Sequence, residues 1–176
     1  VGLGTLPGGI SSEAFDVSTD GTVIVGQSDL RAFRWTRGEG MVNLGLLPGG
    51  SFISEAHAVS ADGSVIVGES SVTGGTAAFR WTSGGGMVSL GGLPGGPIAS
   101  QANEVSPDGT IVVGSGSVAL GQEAFRWTSA EGMVGLGDLP GGGYQSNALA
   151  VSADGKRIVG YSEGFGNVEG QVFVLS

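Results

Sequence analysis

The chain has 176 residues, a mass of 17.3 kDa, 37 glycines and only 13% charged residues. Each interior glycine costs a helix about 1 kcal/mol relative to alanine, which weighs against a helical bundle. The glycines follow no every-third-residue period, which excludes collagen. A mean hydropathy of +0.24 with 40% hydrophobic residues is too apolar for a disordered tail, and no apolar run approaches the ~20 residues of a membrane-spanning helix.

Seven Lys and Arg against sixteen Asp and Glu leave a net charge of −9. Phosphate binding needs clustered cations, so nucleic acid is not an expected partner, and neither is an anionic membrane surface. There is no cysteine, which removes disulfides, thiolate chemistry and cysteine-based zinc sites together. Val1 follows no initiator methionine and no signal peptide, the pattern of a processed mature form or a fragment.

Internal repetition dominates the chain. Leu-Pro-Gly-Gly recurs with its proline at Pro7, Pro48, Pro94 and Pro140. Asp-Gly recurs at Asp20, Asp62, Asp108 and Asp154, and Phe-Arg-Trp-Thr begins at Phe33, Phe79 and Phe125. A repeat of ~46 residues carrying several short β-patterned runs is the sequence form of a propeller blade. The units fall at approximately 5–45, 46–91, 92–137 and 138–176 plus 1–4, all within a single domain, 1–176.

Each unit is expected to form four short strands. The first covers Ala14–Ser18 and its equivalents, and ends in an Asp-Gly turn that needs positive φ. The second holds three β-branched residues, as in Val65-Ile66-Val67, which implies burial on both faces. In the third, Phe33 and Trp35 point one way and Arg34 and Thr36 the other. The fourth is Met41-Val42-Asn43-Leu44, after a glycine-containing turn. The expected fold is all-β, a four-bladed β-propeller; a linear solenoid, a β-prism and a larger shared ring are the alternatives.

The ends bear on closure. Val1-Gly2-Leu3-Gly4 aligns with the fourth strand, and Phe173-Val174-Leu175-Ser176 with the third, so the last unit lacks what the N-terminus supplies. Val1 and Leu3 with Phe173, Val174 and Leu175 are therefore the expected blade closure or subunit joint. They either latch their own ring, removing exposed edges, or add a strand to another copy.

The ordered pattern Ala-x-x-Val-Ser-x-Asp-Gly, Ile-Val-Gly, Ala-Phe-Arg-Trp, Leu-Gly-x-Leu-Pro-Gly-Gly resembles the HAF repeat family of bacterial extracellular proteins, named after a His-Ala-Phe-like triplet. The resemblance covers essentially the whole chain. Arg31, Ala77, Glu123 and Gln171 stand near the place of the family histidine, so its role does not carry over. The resemblance implies a propeller-like fold and secretion or surface exposure. It implies no established enzymatic activity and no catalytic residues.

Chemistry-bearing side chains are sparse. His57 is the one histidine, in a column otherwise held by Phe15, Asn103 and Leu149, and is expected to be a tolerated strand residue rather than a metal ligand. No serine sits in a nucleophile elbow. Asp16 and Glu104 share a column in units one and three and are the candidate channel carboxylates; Glu13, Glu55, Gln101 and Asn147 are expected around the same mouth. The Asp of each Asp-Gly pair is expected to serve its turn rather than calcium. Trp35, Trp81 and Trp127 are expected in blade-to-blade packing, with sugar stacking as the alternative. Arg34, Arg80 and Arg126 are expected to pair with acids on adjoining blades. Tyr144, Tyr161 and Phe165 are candidate rim or contact residues, near the most variable loops.

These features lead to a non-enzymatic extracellular structural protein, without cofactor, whose partners are copies of itself, in filaments or smaller assemblies. The alternative is a lectin-like module binding surface glycans.

Overall fold

The computed structural model describes residues 2–139, 145–162 and 171–175, the last segment as backbone. It contains fifteen strands and, among the described residues, no helix. The first unit comprises β1 (Ser12–Val17), β2 (Val23–Ser28), β3 (Arg31–Thr36) and β4 (Gly40–Gly45). The second comprises β5 (Ser54–Val59), β6 (Val65–Val72), β7 (Gly75–Thr82) and β8 (Gly86–Gly91). The third comprises β9 (Ser100–Val105), β10 (Ile111–Val118), β11 (Gly121–Thr128) and β12 (Gly132–Gly135). The fourth comprises β13 (Ser146–Val151), β14 (Ile158–Ser162) and β15 (Gln171–Leu175). Each unit is an antiparallel meander in chain order, three of them four-stranded and the last three-stranded.

The sheets stack in sequence, face against face. Val23, Val25, Ala32 and Leu44 of the first unit pack on Ala56, Val59, Ile66 and Phe79 of the second. Ala58, Val65, Val67 and Leu90 of the second meet Ala102, Val105, Val112 and Phe125 of the third. Val113 and Ala124 meet Ala148 and Ile158 of the fourth. The β-branched run of β6 therefore alternates between two interfaces, with Val65 at 4% exposure and Ile66 and Val67 at 0%. Phe79 and Trp81 face the same neighbour, as their two-residue spacing requires.

The Asp-Gly turns join geometry to packing. Gly63 has φ +72 and donates its N–H to Ser60 O at 2.9 Å. It also rests on the preceding unit, where a Cβ would press against the Val23 side chain. Asp62 fastens the turn by accepting from Ser60 Oγ at 2.7 Å, from Ser64 N–H at 3.0 Å and from Ser64 Oγ at 2.8 Å. The Ser60 hydroxyl, then the Ser64 amide, hold the Asp62 carboxyl at about 2, against an ordinary 3.8. Asp20, Asp108 and Asp154 are lowered by equivalent bonds.

A carboxylate with a depressed folded pKa stabilises the fold above its unfolded value, and that contribution is lost as pH falls through the folded value. Urea midpoints are therefore expected to drop between the ordinary 3.8 and about 2. Asp62→Asn is expected to flatten part of that slope. An unchanged pH profile in the variant refutes the assignment.

In each first strand the register slips by one residue, between Ala14 and Asp16, Ala56 and Ala58, Ala102 and Glu104, and Ala148 and Ala150. The bulged residues are thus Phe15, His57, Asn103 and Leu149. A bulge bends the strand and re-aims a side chain.

Buried serines tie each unit to the one before it. Ser100 Oγ accepts the Ala78 N–H at 3.0 Å and donates to Gly91 O at 2.7 Å. Ser54 and Ser146 make the same two bonds to the first and third units.

The N-terminal segment does not form the expected strand: residues 2–5 lie outside every sheet, and Val1 lies outside the described residues. β15 pairs with β14, placing Phe173 opposite Gly160, Val174 opposite Val159 and Leu175 opposite Ile158. Among the described residues no strand pairing joins the first and last sheets.

The segment nevertheless reproduces the path that precedes the second unit. Ser12 Oγ donates to Gly4 O at 2.7 Å, as Ser54 donates to Gly45 O. Gly4 has φ +81 and Gly45 +86. Leu6 donates its N–H to Ser28 Oγ as Leu47 does to Ser70 Oγ.

Candidate functional site

The first strands lie side by side along the inner edge of the stack, and their bulged residues link unit to unit. Phe15 and His57 have ring centroids 6.0 Å apart. His57 Nδ1 lies 2.8 Å from Ala102 O, and Asn103 Nδ2 donates to Ala148 O at 2.7 Å and to Asn147 Oδ1 at 2.6 Å.

The two candidate carboxylates belong to this inner edge, but mainly serve the backbone. Asp16 accepts the Val59 N–H of the next unit at 2.8 Å and its own Val17 N–H at 2.7 Å. Glu104 accepts the Val105 N–H at 2.8 Å. Burial raises the Glu104 carboxyl above its usual range, and the negative charge of Asp16 adds to that rise. The third unit's acid therefore feels the first unit's across the edge, as their shared column suggests.

A second cluster lies on the same edge, and sequence patterning passed over it. Glu55 on β5 and Glu69 on β6 are directly opposite each other in the ladder. Ligand atoms of Glu55, His57 and Glu69 all fall within 4.8 Å of one another. His57 Nε2 is 3.4 Å from Glu55 Oε2, and Gln27 Nε2 donates to Glu55 Oε1 at 2.9 Å. Burial raises the Glu69 carboxyl; the His57 charge opposes that rise and the Glu55 charge reinforces it. The signal was present in the repeat columns, because only the second unit carries Glu, His and Glu at these three places.

At the end of the units that carries the Asp-Gly turns, a groove of about 560 Å³ runs between the first two units, lined by Trp35, Trp81, Arg34, Arg37, Asp62 and Thr22 among others. A smaller groove of about 200 Å³ repeats the arrangement between the next two, with Arg80, Asp108 and Trp127. Trp81 and Trp127 pack against the inter-unit core on one side and remain half-buried at the grooves.

The arginines depart from expectation. Arg34 and Arg126 pair with Glu39 and Glu131 of their own hairpins, at 2.6 Å each. The reason is local: the β3–β4 and β11–β12 turns bring an acid back beside the arginine five residues earlier. The second unit has Gly85 in that place, and Arg80 instead reaches Gly109 O of the next unit at 3.4 Å. Of the candidate rim residues, Tyr161 on β14 is 38% exposed, whereas Tyr144 and Phe165 lie outside the described residues.

No family model matches the chain, and no curated protein does either. Solved structures do. A protein assigned as TolB from Agrobacterium tumefaciens aligns with a TM-score of 0.69 at 20% identity, over 93% of this chain and 57% of that one. TolB from Acinetobacter baumannii aligns at 0.65 and 16% identity, over 94% of this chain and 40% of that one. Hydrazine synthase from Kuenenia stuttgartiensis aligns at 0.54 and 12% identity, over 97% of this chain and 49% of that one. The chain thus spans about half the length of the structures it matches. At these identities the likeness is one of fold, and the stacked antiparallel meanders are those of a β-propeller repeat protein.

Proposed function

We propose that the chain is a non-enzymatic structural protein of the cell exterior, a four-bladed section of β-propeller whose copies associate head to tail. The observation that carries this is the bare face of the first unit. Val17 is 51% exposed, whereas Val59 and Val105 at the same place are 7% and 3%. Ala14 is exposed, whereas Ala56, Ala102 and Ala148 are 0%. At the other end Val159 is 36% exposed, against 0% for Val25, Val67 and Val113.

The two bare faces are repeat-equivalents of the partners at every internal interface, so the fourth unit of a second copy has the matching chemistry. A joint between different faces is heterologous, and repeats into filaments unless its rotation closes a ring. The external setting rests on the repeat resemblance.

Sedimentation velocity tests the joint. The wild-type chain is expected to rise from 17.3 kDa to multiples of it with concentration, and Val17→Lys to remain at the single-chain mass. A wild type that stays single at about 100 μM, a loading that populates contacts even weaker than −5 kcal/mol, overturns the proposal.

A lectin-like second reading is favoured by the groove walled by Trp35 and Trp81, which offers indole faces beside Arg34 and Asp62. A glycan array on which no sugar binds, or binding that survives Trp35→Ala with Trp81→Ala, removes it.

A further inference from the structure

We propose that Glu55, His57 and Glu69 form a binding site for a divalent transition-metal ion of the zinc class. Three features lead there. The first is the histidine's orientation. A main-chain carbonyl only accepts, so the 2.8 Å contact to Ala102 O places a proton on His57 Nδ1. In that tautomer the Nε2 lone pair faces Glu55 Oε2 at 3.4 Å, lone pair against carboxylate. A divalent metal ion between the two atoms accepts both lone pairs. A carbonyl-anchored Nδ1–H with Nε2 turned inward is also how ligating histidines are held.

The second feature is the like-charge pair. Glu55 and Glu69 face each other across the ladder, where like charges destabilise a sheet. Among the described residues the Arg ion pairs are to Glu39 and Glu131, and the one cationic partner within the cluster is His57. The Gln27 amide, bonded to Glu55 Oε1, holds that carboxylate in place from the preceding unit.

The third is the break in the repeat. The corresponding triplets are Glu13, Phe15 and Gln27 in the first unit and Gln101, Asn103 and Ser115 in the third. The second unit alone combines three ligands in a chain whose units otherwise agree closely. One imidazole nitrogen and two carboxylates suit zinc or a neighbouring first-row ion better than calcium, which takes oxygen ligands throughout. Three protein ligands leave a fourth tetrahedral position for water or an external donor.

Zinc titrated calorimetrically into metal-free full-length chain at neutral pH tests the site. One equivalent is expected to bind, with native mass spectrometry showing a single ion. His57→Asn copies Asn103, which makes the same inter-unit bond to Ala148 O; it removes Nε2 without removing the tie. Glu69→Gln copies Gln27. Each is expected to weaken zinc at least tenfold while leaving far-UV circular dichroism unchanged, and excess calcium is expected not to displace the ion. No zinc uptake by the wild type overturns the proposal. Equal uptake by wild type and His57→Asn overturns it too, since the ion then sits elsewhere.

Discussion

Gly68→Ala is expected to lower the melting temperature by roughly 6–12 °C, corresponding to about 3 kcal/mol at this chain length. Gly68 lies on β6 opposite Ala56, where the bulge at His57 pushes the β5 backbone inward. A Cβ there would overlap the Glu55 carbonyl oxygen and come within 3.1 Å of Ala56 Cα. Backbone cannot rotate aside as a side chain does, so the bulge must flatten or the sheet must open. Flattening would also turn His57 away from Ala102.

The control is Gly21→Ala, at φ +71 with nothing within 4 Å of the new Cβ. It meets left-handed strain alone, about 1 kcal/mol or slightly more. Equal melting temperatures for the two variants, followed by calorimetry, would refute the bulge as the cause.

Ser100→Ala is expected to cost about 2–4 kcal/mol, because it strands the Ala78 N–H and the Gly91 carbonyl at a buried interface. Ser100 is only 5% exposed, so water does not readily replace the hydroxyl. Ser12→Ala removes the equivalent bond to Gly4 O, but at an exposed serine where solvent substitutes, and is expected to stay within about 0.5 kcal/mol of wild type. Denaturant midpoints that fall equally for both serines would show that the bonds hold no inter-unit load.

The repeat, its turn chemistry and the two-sided burial of the second strands were legible in the residues. They depend on local rules: glycine tolerates positive φ, and β-branched triplets fit a strand covered on both faces. The same rules suggested a fourth-type strand at residues 1–4. The structure gives Gly4 the hydrogen bond of that position but leaves residues 2–5 without a sheet to join, because a strand needs a neighbour that local patterning does not supply. The serine ties were invisible for a related reason. A serine beginning a strand is unremarkable until packing brings the preceding unit's unpaired N–H and C=O to it.

The site shows the division most clearly. His57 looked isolated because alternation tells which face a side chain takes, not which residue of the next strand stands opposite. Register brings Glu69 beside Glu55, and the bulge turns the imidazole toward both. By itself the sequence determined an all-β repeat protein with acidic surfaces and tight Asp-Gly turns, since these follow from short-range sterics and hydrophobic periodicity. Only the tertiary structure decided which faces remain bare, which glycines stand against backbone and which acids share a charge centre, because each depends on contacts between residues distant along the chain.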